Sequence, residues 1–438
     1  MDPRAQPDGD RMRPAWLTAP VLVVAALSVG AGIAQYAVTT VIGDVAAAFG
    51  TAGTDTDEAI AQLGLPATTI GIALAIIRLA SLGSLPIAAT ADRMGRRGVL
   101  LTSAAVGLGL TSLAALAPGF WWYVALVAFA RPALSAVNAV AGVVAAEEAS
   151  SRDRSASLAL IAVAYGLGAG VVAVGRGLLP GEPSFRVVMA FSFVALLVVP
   201  LLARKVREPT IASTRVRATG LPGRIPRAYV GRVALLAILT GSIALATGPG
   251  FTYLFVHGEG VLGASPLFLS TLVLAAGPAG LVGILIGRWG ADRFGRTVTS
   301  GLSMAATGLA VAYAYAGDTT QLAVGYLVAL ATSSAFAPPT GALVAELVPT
   351  RIRATVAGWE VVAGVLGAVI GLTSFGVLAD ATGGFASAAR LIGIVVAVVA
   401  VGFVWLPETR GTELADLDGE GRGAGAERSD GGDRDPDS

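Results

Sequence analysis

The chain of 438 residues predicts an all-α membrane protein, twelve transmembrane helices arranged as two pseudo-symmetric six-helix bundles. Three observations carry this reading. Hydrophobic residues make up 55% of the sequence and charged residues only 13%, against about 25% charged in an ordinary soluble domain. The apolar residues gather into runs of the length that crosses about 30 Å of hydrocarbon as a helix. Charged motifs on the flanks of those runs then recur in register. Asp92-Arg93-Met94-Gly95-Arg96 returns as Asp292-Arg293-Phe294-Gly295-Arg296 at an offset of 200. Glu147 and Arg154 return as Glu346 and Arg353 at 199, and Glu208 returns as Glu408 at 200. Such matched loops imply a duplicated membrane half.

A window of about 20 apolar residues places six spans in the first half, near 17–42, 66–90, 98–117, 121–145, 156–179 and 185–203. Six more fall near 230–256, 266–289, 298–317, 321–345, 354–378 and 387–406. This gives bundles at 1–203 and 230–410. Between them, residues 204–229 are rich in Arg, Gly and Pro and read as a linker whose basic side faces anionic headgroups. Residues 411–438 are acidic, Gly-rich and almost free of large apolar side chains, which reads as a disordered tail. Gly248-Pro249-Gly250 and Gly277-Pro278 are expected to break or bend spans seven and eight.

Arginine placement sets the orientation. The segment before span one and those after even-numbered spans hold Arg4, Arg11, Arg13, Arg93, Arg96, Arg97, Arg152, Arg154, Arg204, Arg207, Arg293, Arg296, Arg351 and Arg353. The opposite loops hold mainly acids, Asp55, Asp57, Glu58, Glu182, Glu259 and Asp318. The positive-inside rule therefore expects both termini in the cytoplasm and a multi-pass protein of the cytoplasmic membrane. The basic start followed by an apolar run is read as a permanent first helix, because eleven spans follow and no cleavage site is evident.

The segment Ala91 to Arg97 resembles the signature G-x-x-x-D-R-x-G-R-R of the major facilitator superfamily, although residue 88 is Ala where the pattern has Gly. Two further segments resemble its sugar-porter and metabolite-symporter branches. Glu346-Leu347-Val348-Pro349-Thr350-Arg351-Ile352-Arg353 is similar to E-x-x-P-T-x-x-R, and Pro407-Glu408-Thr409-Arg410-Gly411 to P-E-T-K-G. Span seven lacks the paired glutamines of sugar porters, and their span-one acid falls on Val38. Span five lacks the Gly-Pro core of drug–proton antiporters. The resemblance implies the twelve-helix fold of that superfamily. It also implies a cytoplasmic latch, closed in one conformation and broken in the other, built from Asp92, Arg93, Gly95, Arg96, Glu147, Arg154, Asp292, Arg293, Gly295, Arg296, Glu346, Arg353 and Glu408. The competing reading is that these are flank charges that only set topology.

Charges inside the membrane are costly, at least about 2.5–3.5 kcal/mol each, and mark function by default. Arg78 lies near the middle of span two and Arg131 within span four, with no acid at equal depth in the same half. They are expected to face a central cavity and meet an anionic solute or a carboxylate of the second half, of which Glu360 stands out. Arg78 could equally be a structural post bonded to carbonyls, and Glu360 part of the latch. Gln35, Tyr36, Thr39, Thr40 and Asn138 read as cavity lining or as interhelical hydrogen-bonding groups. Thr252 and Tyr253 are weaker candidates of the same kind. Arg176 is expected to snorkel to the outer surface, and His257, the only histidine, to be an incidental exposed group.

An enzyme is not expected. Absence of cysteine excludes disulfides, thiolate metal sites and cysteine nucleophiles, and there is no phosphate-binding glycine loop and no pair of mid-membrane acids. No cofactor, metal or nucleic-acid partner is expected either. The resemblance implies a monomeric secondary transporter that moves a small anionic or polar metabolite by alternating access, as a symporter or uniporter with protons as the coupling ion if coupled. The alternative is proton-driven efflux of amphipathic compounds.

Overall fold

The computed structural model describes residues 18–50, 64–149, 153–179, 184–204 and 224–410; the side chains of Asp92, Arg154 and Ser155 are outside that description. The expected tail, Glu208, most of the inter-half linker and the acidic residues 55–58 therefore lie outside the described residues. What is described is helical throughout, without a strand.

Twelve helical spans follow in order. They are α1 (Ala19–Phe49), α2 (67–94, in two pieces, Ala67–Ala80 and Ser84–Met94), α3 (Arg96–Ala114), α4 (Phe120–Glu148), α5 (Arg154–Leu178) and α6 (185–203, interrupted at Ala190). Then come α7 (227–260, interrupted at Tyr253), α8 (Pro266–Phe294), α9 (Arg296–Ala314), α10 (Thr319–Glu346), α11 (Thr350–Thr382) and α12 (385–405, ending in the 3-10 stretch Ala400–Trp405). Each coincides with one predicted span. Among the described residues, eleven helices are long and apolar enough to cross a membrane. α9 is not among them, because hydroxyl side chains occupy one of its faces: Thr297, Ser300, Ser303 and Thr307 are all buried.

Local chemistry explains the ends and interruptions. Ser265 accepts from the Phe268 N–H ahead of Pro266, and Asp318 accepts from the Gln321 N–H at 2.9 Å, so α8 and α10 start on capped termini. α2 tightens into a 3-10 turn at Ser81–Gly83, where the Ser81 hydroxyl donates to the Arg78 carbonyl at 2.6 Å. α7 is interrupted at Tyr253 (φ −83°, ψ 4°), one turn past Pro249, although the Tyr253 N–H still donates to the Pro249 carbonyl at 2.9 Å. α8, by contrast, runs on as helix through Gly277-Pro278. Tight turns at Gly95 (φ +91°) and Gly295 (φ +105°) join α2 to α3 and α8 to α9. Only glycine enters that backbone region without strain.

Contacts divide the chain into two compact units. One comprises residues 1–40 and 83–217, the other residues 41–82 and 218–438. Besides the boundary at 217/218, within the expected 204–229 linker, two more fall inside α1 and at the 3-10 turn of α2. The first unit packs around Leu27, Leu100, Leu108, Leu134, Val137 and Val144. There α1 meets α5 at backbone distance: a Cβ on Gly32 would lie 2.2 Å from the Tyr165 carbonyl oxygen, and one on Gly168 2.2 Å from that of Val29. The second unit is centred at one end on an aromatic cluster in which Tyr253, Phe375, Phe385 and Tyr315 pack with ring centroids 5.0–5.7 Å apart.

Candidate functional site

In the first unit the polar residues of α1, α4 and α5 come together. Tyr36 of α1 meets Tyr165 of α5 edge to face at 6.2 Å, and the Tyr165 hydroxyl donates to Gln35 Oε1 at 3.3 Å. Arg131 of α4 lies within electrostatic reach of both tyrosines. Asn138 sits two turns further along α4, on the same face. Several polar atoms here are buried without a hydrogen-bond partner among the described residues: Arg131 Nε, Gln35 Nε2 and Asn138 Oδ1. A buried donor left unmade costs about 1–3 kcal/mol, more when charged. Two donors and one acceptor gathered in this way suit a ligand or water. Tyr165 was missed by sequence reasoning. Its signal was the glycine-rich stretch around it, which lets α5 approach α1.

Thr39 and Thr40 do not join this group. Their hydroxyls bond back to carbonyls of their own helix, Thr40 to Ala37 at 3.0 Å. The Thr252 hydroxyl is likewise spent on Gly248 at 2.6 Å. Arg176 does not snorkel: it is 2% exposed. Its long side chain points into protein instead of out to a headgroup.

The second unit holds Arg78 and Glu360. The α2–α11 register follows from two close approaches. A Cβ on Gly71 would lie 2.5 Å from the Leu372 carbonyl oxygen, and one on Gly376 2.3 Å from that of Ala67. Continuing that antiparallel register puts Arg78 level with Val365 and about 7.5 Å along the axes from Glu360. Glu360 lies against the Thr240 hydroxyl of α7, and neither of its oxygens makes a hydrogen bond of ordinary geometry.

The α2–α11 seam is closed by polar contacts at its far end. Asp380 accepts from the Ala67 and Thr68 N–H groups at 2.9 and 2.8 Å, so a residue of α11 caps α2. The buried Tyr253 hydroxyl donates to the Ala67 carbonyl at 3.2 Å. Tyr253 is thus a seam residue and not a cavity lining. His257 is not an exposed group: it is 4% exposed, its ring 4.7 Å from Tyr315 and 5.7 Å from Phe385. The helix turn past Tyr253 swings it into the aromatic cluster, which hydropathy at a span end could not reveal.

The duplicated charges form two similar clusters, each within one half of the sequence. In the first, Arg96 pairs with Glu147, while Arg93 is exposed. In the second, Arg296 Nε lies 3.4 Å from Glu346, and Glu346 also accepts from the Thr409 hydroxyl. Glu408 caps α9. It accepts from the Arg296 N–H at 2.8 Å, the Thr297 N–H at 3.1 Å and the Thr297 hydroxyl at 2.6 Å. Partial burial pushes its carboxyl up, but these bonds, with one from the Arg410 N–H, outweigh that and hold it below the usual glutamate value. Arg410 ties down the Arg293 carbonyl at 2.8 Å, Arg353 bonds the Ala345 carbonyl at 3.0 Å, and Asp292 is exposed. Each of these bonds joins residues of one half. The two members whose side chains fall outside the description are Asp92 and Arg154. Among the described residues no three His, Asp or Glu side chains converge as metal ligands would.

Comparisons with known proteins agree with this architecture. The family model described as Major Facilitator Superfamily matches residues 24–291 and 269–428. No curated protein matches the chain. Among solved structures, the inward-open xylose transporter XylE from E. coli superposes with a TM-score of 0.71 at 16% identity, covering 91% of this chain and 98% of that one. A bacterial homologue of the human lysosomal transporter Spinster, inward-facing and occupied, gives 0.66 at 14% identity, covering 90% and 97%. The human organic anion transporter MFSD10 gives 0.61 at 14% identity, covering 89% and 100%. At these identities the likeness is one of fold. The family match, which spans most of the sequence, carries more: the chain is a multi-pass membrane protein that belongs to the Major Facilitator Superfamily.

Proposed function

We propose that this transporter carries a small organic solute with an anionic or strongly hydrogen-bonding end, and that Arg131, Gln35, Tyr36, Tyr165 and Asn138 form the first-unit side of its site. The observation that carries the reading is the unspent hydrogen-bonding capacity around Arg131. A guanidinium Nε–H and an amide N–H buried without partners are stabilised when a solute with acceptor atoms arrives, and the Asn138 amide oxygen when that solute also carries a donor. Arg78 and Glu360 are read as a second polar pair, with Glu360 the candidate coupled-proton carrier. A solute-transport family, and neighbours that are a xylose transporter and an organic anion transporter, support this class of cargo.

Orientation belongs to the same proposal. The arginine-bearing ends of the helices are placed in the cytoplasm and the Ala67–Asp380 seam at the outer side, where it would act as a gate between α2 and α11.

The test is solute binding by purified protein, read as thermal stabilisation across a panel of organic anions and neutral sugars. Lysine keeps the charge but loses the planar fork. Arg131→Lys should therefore weaken binding about tenfold and Arg131→Ala at least about a hundredfold, the range expected for charged hydrogen bonds. A neutral solute bound with the same affinity by wild type and both variants would end the anion reading.

A further inference from the structure

The first unit contains one cavity that the solute reading does not use. A cleft of about 490 Å³ opens between α1, α3, α5 and α6. Its walls are almost entirely carbon, among them Gly30, Leu108, Val171, Phe191, Ala195 and Val198. Val171 and Val198 are also half exposed, so the cleft opens sideways on the flank of spanning helices, where the solvent is hydrocarbon. The packing leaves real room: a Cβ on Gly30 would meet Ala195 and Leu108 only at 3.6 Å, an ordinary contact.

Its depth and its end are specific. Along α6 the lining runs from Phe191 to Leu202, about 16 Å of helix, which is half of a hydrocarbon core about 30 Å thick. The cleft is one leaflet deep. Two exposed cations stand at its Leu202 end. Arg97 reaches across from α3 to donate to the Ala203 carbonyl at 2.9 Å, and Arg204 closes α6. Neither is in an ion pair among the described residues.

We infer that this cleft holds one acyl chain of an anionic phospholipid from the arginine-side leaflet, with its phosphate between Arg97 and Arg204. Lipid tails are as apolar as the walls, so the chain gains packing and not relief from water. Affinity for the headgroup then decides occupancy, at about fivefold per arginine near an anionic surface. The lipid is chosen over an amphipathic solute because the cations sit where the bilayer places its phosphates. The inference is independent of the solute reading and would survive its failure.

Native mass spectrometry of delipidated protein, titrated with dioleoyl phosphatidylglycerol or dioleoyl phosphatidylcholine, tests it. The wild type should hold one phosphatidylglycerol through activation that strips other lipid, with a preference over phosphatidylcholine of about 25-fold from the two arginines. Ala195→Phe fills the cleft and should lose that lipid; Gly30→Val projects into the same space and serves as a second plug if the first does not fold. Leu197→Phe, on the outer face of α6, should keep it. Arg97→Gln combined with Arg204→Gln should bring the preference close to one. Equal retention by wild type and the plugged variants, no headgroup preference in the wild type, or displacement of the lipid by the panel of organic solutes would each overturn the assignment.

Discussion

Gly376→Ala tests the seam between α2 and α11 at its tightest point. Ala67 is the node there: its N–H donates to Asp380, and its carbonyl accepts from Tyr253. A Cβ at position 376 would stand 2.3 Å from that same carbonyl oxygen and 3.0 Å from the Thr68 Cα. Both obstacles are backbone, so no rotamer change relieves them and the helices must part by roughly an ångström. Overpacking of this kind costs about 1–3 kcal/mol. The cost falls only on the state in which the seam is shut, so the ratio of closed to open should drop by roughly five- to 150-fold. The assay is labelling of Ala67→Cys, a position fully buried in the closed seam, by a membrane-impermeant maleimide. Labelling in the Gly376→Ala background should accelerate by the same factor, and restoring glycine should abolish the gain. If the rate is unchanged while the protein remains folded, the seam is not a gate and the outward assignment of this face has no support.

Two further predictions are more limited. Glu408 sits below the ordinary glutamate value of 4.5, so its cap on α9 contributes above that pH and is lost as pH falls through its own lower value. Glu408→Gln should melt about 1–2 °C below wild type at neutral pH, the effect of losing a largely exposed cap, and the gap should close as acidification protonates Glu408 below its ordinary range; a gap that widened on acidification would contradict the sign. For topology, Ser184→Cys and Met94→Cys should label from opposite sides of the membrane, and labelling of both from one side would refute the positive-inside reading.

The spans were legible because hydropathy, loop arginines and the repeat at 200 residues are all local signals. The ends of α8 and α10 could be found from Ser265-Pro266 and Asp318 for the same reason. What was not legible depended on partners far away in sequence. Asp380 reads as an ordinary span-end acid until it is seen on α2, 313 residues distant. His257 reads as exposed because the interruption of α7 at Tyr253 redirects the chain, and the helical period across it does not predict which way. Arg176 reads as a headgroup anchor because the sequence shows its depth and not its direction. Arg131, Gln35 and Tyr36 were singled out from polarity in apolar runs, but Tyr165 emerged only when the glycine contact of α1 with α5 fixed where that ring sits. The charged repeats were recognised as a unit, while their pairing inside each half needed coordinates.

The hydroxyl face of α9 has a consequence for biogenesis. Ser300 shares a hydrogen bond with Thr340 at 3.2 Å, and Thr307 donates to Thr332 at 3.0 Å, both across to α10. Read alone, α9 is the segment least suited to leave the translocon for lipid, because its side-chain hydroxyls must find acceptors or carry their desolvation cost. Its neighbour supplies the partners, and the turn between them spans only Tyr315 to Asp318. The two should therefore partition as one helical hairpin, with α9 waiting at the channel until α10 has been made. In a ribosome-stalled chain ending before Thr332, α9 should remain extractable; once Thr340 has emerged, it should hold.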